Sequence, residues 1–217
     1  MPGSITADLL KKRPLELALR ALLAFGIAFW LVARLAPIIL ETLLPFYEQA
    51  IHLVDDHYRL DLSLTHRTGH DVVGSDLVLL VQATVVRTFM VFGSRAVITM
   101  QPGEILQSST ATGLLMQPAI MICGLLLAWP ARSAAEVLLR LGIGAVLLAA
   151  WLLLGIPLSL WIYFQDIPLR VFAPREVSFL ADAGRFLLNG GSVALGALAA
   201  GGALFLAARL RPVRPTS

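Results

Sequence analysis

Four stretches of this chain are apolar for long enough to cross, or nearly cross, a lipid bilayer, and they constrain its fold more than any motif does. About 30 Å of hydrocarbon takes roughly 20 helical residues. The first stretch runs from Ala21 to about Leu44 (ALLAFGIAFWLVARLAPIILETLL) and is interrupted by Arg34 and Pro37. The second, Gly113 to Trp129 (GLLMQPAIMICGLLLAW), is short and carries Gln117 and Pro118 near its start. The third spans about Val137 to Phe164, with Arg140 at one end and Trp151, Trp161 and Tyr163 further along. The fourth, about Phe186 to Ala208, is built on Gly, Ala and Leu. Charged residues make up 14% of the chain and mean hydropathy is +0.80, against a charged share of roughly 25% in soluble domains. A membrane is the expected solvent. The first run follows LKKRPLELALR and is not trailed by a small-residue cleavage site, so it reads as a retained anchor.

Basic residues gather where apolar runs end, which makes them a topology signal and argues against a nucleic-acid surface despite a pI near 9.5. Lys11, Lys12, Arg13 and Arg20 precede the first run, Arg132 and Arg140 lie between the second and third, and Arg209, Arg211 and Arg214 follow the fourth. These segments are expected on the cytoplasmic side. Between Glu41 and Thr112 four Arg face eight acids, which places that segment outside. The expected fold is therefore mainly α and polytopic, with four transmembrane helices and a small extracytoplasmic antiparallel β-sheet inserted between helices 1 and 2. The expected divisions are a cytoplasmic segment 1–20, a first span 21–44, an extracytoplasmic module 45–112, a three-helix membrane region 113–208 with an outer loop at about 165–185, and a cytoplasmic basic tail 209–217.

The β expectation rests on YRLDLSLTH (58–66), where Tyr58, Leu60, Leu62 and Leu64 alternate with Arg59, Asp61, Ser63 and Thr65. Open strand edges do not survive in hydrocarbon, because unpaired backbone groups cost several kcal/mol each there. DLVLLVQATVV (76–86) and TFMVFGSRAVITM (88–100) supply partners rich in Val, Leu and Thr, giving a sheet of three or four strands. The run from Asp76 to Val91 could also be read as a short membrane segment, but Gln82, Thr84, Arg87 and Thr88 interrupt it and a fifth crossing breaks the charge pattern. PFYEQAIHLVDDHYRL spaces Phe46, Ile51 and Val54 at helical intervals, so the first span continues as, or turns into, an amphipathic helix. Gln101-Pro102-Gly103 makes a turn, and Ser108, Ser109, Thr110 and Thr112 can cap the second span.

Chemistry is sparse. All four histidines (52, 57, 66 and 70) precede Asp71, and HRTGH has HxxxH spacing, but its Gly lies in an expected turn and no HExxH or Cys ligand accompanies it, so no metal site and no cofactor are expected. The single Cys123 lies within an apolar run, where a thiol is a small hydrophobe. No phosphate-binding Gly loop and no paired acids within a span are present. Arg34 lies roughly 21 Å along the helix from Arg20 and either snorkels or meets a partner or anionic lipid. Ser192, Gly196 and Ala200, four apart, form a small-residue face that suits helix packing within the chain or against a partner. Candidate partner-contact residues are Arg34, Tyr58, Arg59, Asp61, Ser63, Ser192, Gly196 and Ala200.

The layout of an N-terminal anchor, an acidic strand-rich outer segment and TATGLLMQPAIMICGLLLAWP leading into closely spaced spans resembles small membrane proteins associated with exosortases. Ala36 to Pro130 carries the likeness, especially Leu44-Pro45-Phe46, the strand module and the Gly113 to Pro130 stretch. The resemblance implies an accessory subunit in a bacterial inner membrane beside an exosortase that processes exported proteins. Ala119 and Cys123 match the AxxxC that opens the exosortase active site, with Arg132 and Arg140 downstream, yet the later histidine that family needs is missing. The expectation is a non-enzymatic subunit whose partners are membrane lipid, another integral membrane protein such as an exosortase, or an exported protein substrate, and not nucleic acid. The alternatives are a small transporter or channel subunit, for which Gln117, Gln165 and Asn189 are the candidate polar groups, or a subunit of another secretion or conjugation system.

Overall fold

The computed structural model describes residues 14–67, 76–92, 97–131, 133–172 and 179–209. The chain is mainly helical with a small antiparallel sheet. Helix α1 (Pro14–Val54) opens on a proline, whose missing N–H costs nothing in a first helical turn. It runs unbroken through Pro37 and Pro45. The helix therefore continues past Leu44. Leu40, Tyr47 and Ile51 keep one buried stripe going, so the amphipathic continuation belongs to the same helix.

Strands β1 (Tyr58–Arg67), β2 (Asp76–Val85), β3 (Phe89–Phe92), β4 (Val97–Met100) and β5 (Ile105–Ala111) follow. The main sheet has three strands, within the expected three or four, and its third is ILQSSTA, expected as a capping segment; among the described residues FMVF and VITM form a further pair. The Thr112 hydroxyl donates to the Leu77 carbonyl, 3.0 Å away, tying the start of the next helix to β2. The next elements are α2 (Thr112–Ala128), α3 (Ala134–Ala150), a π turn at Trp151–Gly155, α4 (Ile156–Phe172), α5 (Phe179–Phe186), a second π turn at Leu187–Gly191 and α6 (Ser192–Arg209). The segment expected as an outer loop is thus helical to Phe172 and again from Phe179, since Ile167 is buried and holds α4 past Gln165.

Two helical runs, Leu15–Val54 and Ala134–Gln165, are long and apolar enough to cross a membrane by length and composition, whereas Thr112–Ala128 and Ser192–Ala207 are shorter apolar helices. Large apolar side chains such as Leu22, Phe29, Ile38, Leu138 and Leu198 are more than half exposed on them.

The fold has two compact units. One takes α1 up to Ala33, α2 from Pro118, α3 to Ala149 and α6 from Val193. Its interior is the cluster Ile122, Leu126 and Ala203, flanked by Ile143, Leu147 and Ala199. A Cβ on Gly196 would come within 2.9 Å of the Pro118 Cα, so α6 reaches α2 at backbone distance. Arg140 donates to the Trp129 and Pro130 carbonyls at 2.9 and 3.3 Å and pairs with Glu136. Its charge, counted above among the cytoplasmic ones, is enclosed at 5% exposure. The second unit takes α1 from Arg34, all five strands, the start of α2 to Gln117, and Ala150 to Ser192.

Candidate functional site

The order in the main sheet is β1-β2-β5, with β2 central and both pairings antiparallel. The register pairs Leu62 with Val81 and Val81 with Ser108, so strand alternation puts Tyr58, Leu62, Val81, Ala83 and Leu106 on one face. These are buried. The opposite face carries Arg59, Asp61 and Ser63 from β1, Gln82 and Thr84 from β2, and Gln107 and Ser109 from β5. The β1 and β5 members of that face are exposed. On the same face Val78 of β2 is buried and Leu80 half-buried, so that face is open along its β1 and β5 strands and closed on the central strand β2 at Val78.

The pairing of Thr84 with Ile105 would, if continued, pair Phe89 with Met100, and it does. The two strand pairs therefore form a single ribbon, bent where Val86–Thr88 and Gln101–Gly103 leave the ladder. Pro102 has no N–H to donate at the bend, and Gly103 takes φ +92°, a conformation that suits glycine. Gly103 N–H then donates to the Val85 carbonyl and Val85 N–H to the Glu104 carbonyl, each at 2.9 Å. Beyond the bend, Phe89 packs on Tyr58 with ring centroids 4.9 Å apart.

Asp55, between α1 and β1, fastens the module. Its Oδ1 accepts from the His57 backbone at 3.1 Å and lies 2.8 Å from His57 Nδ1, while its Oδ2 accepts from Gln165 Nε2 at 2.8 Å and Trp161 Nε1 at 3.4 Å. The side chain is 10% exposed. A second tie joins α4 to β5, where the Tyr163 and Ser108 hydroxyls lie 2.8 Å apart. On the other side, Glu48 of α1 accepts from the Leu62 N–H at 2.8 Å. Burial, aided by the negative charge of Asp55, pushes the Tyr58 phenol well above its ordinary value, and its hydroxyl has no hydrogen-bond partner among the described residues. A groove of about 540 Å³ lies beside the start of β1, lined by Glu48, His52, Asp56, Arg59 and Arg87, with Asp56 and Arg87 ion-paired.

The residues singled out from sequence fall into separate places. Arg59, Asp61 and Ser63 share the exposed sheet face. Tyr58, at 3% exposure, serves the interior instead. Arg34 is exposed on α1. Gly196 packs against α2, and Ser192 and Ala200 are buried at 6% and 0%, so this small-residue face is occupied within the chain. Gln165, a candidate for a shared polar cavity, is committed to Asp55. The side chain of Asn189 and the whole of His70 lie outside the described residues. Among the described residues no cluster of three His, Cys, Asp or Glu could hold a metal ion. Sequence reading missed Asp55, because its partners Trp161 and Gln165 lie more than a hundred positions away. No family model, no curated protein and no solved structure matches the chain.

Proposed function

We propose that the chain is a polytopic protein of a bacterial inner membrane, crossing four times with both termini cytoplasmic and residues 45–112 outside. In this reading it is a non-enzymatic accessory subunit that docks a membrane-embedded partner or an exported protein substrate, and its resemblance to exosortase-associated proteins makes an exosortase the first partner to test. The observation that carries the reading is the sheet face open along β1 and β5, which presents Arg59, Asp61, Ser63, Gln107 and Ser109 to solvent. The inward hydrogen bonds of the module, those of Asp55 and Glu48, join elements to one another and leave this polar face available for a partner.

The test is co-expression with an exosortase, followed by co-purification. Replacing Arg59 with Glu and Asp61 with Lys together should cut partner recovery by about tenfold or more while membrane insertion is unchanged, because reversing charges turns attraction into repulsion. Equal recovery of the partner with the double variant would count against docking through this face.

A further inference from the structure

The two outer edges of the main sheet are not equivalent. Val86 N–H donates to the His57 carbonyl, so odd-numbered residues of β1 point their backbone groups at β2 and even-numbered ones point them outward. On that outer side the Leu62 N–H is taken by Glu48, which lays α1 against the β1 edge. By the same reasoning, the bond from Val85 N–H to the Glu104 carbonyl turns Leu106, Ser108 and Thr110 of β5 toward β2. Ile105, Gln107 and Ser109 then point their N–H and C=O groups away from the sheet. No described residue bonds to those groups, and all three residues are exposed. Proteins ordinarily blunt such edges with charges, proline or a covering element. The β5 sequence ILQSSTA has no charge and no proline.

We infer that the outer edge of β5 accepts an extended segment of a partner protein as a fourth strand of the sheet. This rests on the docking reading above and names its edge and its binding mode. The hydrogen-bonding specification is that of extended polypeptide, with donors and acceptors recurring every second residue. The incoming segment would set one row of side chains beside Gln107 and Ser109 and the other beside Leu106 and Thr110. An uncharged segment of alternating polar and apolar residues meets both rows.

The test uses the full-length protein in vesicles of phosphatidylethanolamine and phosphatidylglycerol, followed by hydrogen exchange, with a capped, uncharged heptapeptide of alternating Thr and Val as the probe strand. Without probe, the amides of Ile105, Gln107 and Ser109 should exchange rapidly while those of Leu106 and Ser108 are protected. With probe, the three outward amides should slow by about tenfold or more. Gln107→Pro should abolish that protection and leave the Leu106 and Ser108 amides protected, because an outward-facing edge position can take proline. Three results would overturn the inference: outward amides already slow in the monomer, no slowing on addition of probe, or a chain that dimerises through β5 and protects these amides by itself. None of them bears on the charge-reversal experiment at Arg59 and Asp61, so the edge can fail while docking stands.

Discussion

A carboxylate that is one-tenth exposed is stable only if donors reach both of its oxygens, and Asp55 receives them from the chain just after it and from α4. The arrangement joins residues 55 and 165 with one side chain. Asp55→Ala would leave the Gln165 amide and the Trp161 indole without their acceptor, at a cost of about 2–4 kcal/mol. Asp55→Asn keeps one carbonyl oxygen and should lose less. Thermal unfolding in detergent micelles should rank the proteins wild type, Asn, Ala; equal melting of all three would show that the node holds nothing. Tyr58 is the counterexample at this scale, since its buried hydroxyl has no described partner and its ring does the packing against Phe89.

At the level of elements, the α2–α3 hairpin is closed by Arg140, which reaches two carbonyls at the end of α2 and pairs with Glu136 one turn earlier on its own helix. Glu136→Gln leaves the guanidinium buried with its charge uncompensated and should cost about 3–5 kcal/mol, whereas Glu136→Leu combined with Arg140→Met should return much of that, because two desolvated charges disappear together. Chemical denaturation of the two variants would decide it. Elements governed by local pattern could be read from the sequence: the alternation of YRLDLSLTH is β1, and the small-residue spacing of Gly196 and Ala200 is a packing face. Elements governed by distant pairing could not. ILQSSTA carries the Ser and Thr of a helix start, and only its register against β2 makes it a strand. The fate of Arg140 depends on a hairpin that no single helix announces. The open face of the site was therefore legible, while its fastening and the difference between its two edges were not.

For the molecule as a whole, the proposed four crossings make a statement about sides. Removing the native thiol by Cys123→Ala and introducing Ser63→Cys on the exposed sheet face gives one reporter. A membrane-impermeant maleimide should label it in right-side-out vesicles and not in inverted ones; labelling only from the inverted side would place the strand module in the cytosol. The bent ribbon limits how this module can vary. Its two strands skip equal lengths at the bend, so a lone insertion before β3 would turn that strand over, carrying Met90 and Phe92 to the face that Val91 now occupies. Paired changes of length keep the two arms in register, whereas a lone change has to be absorbed as a bulge.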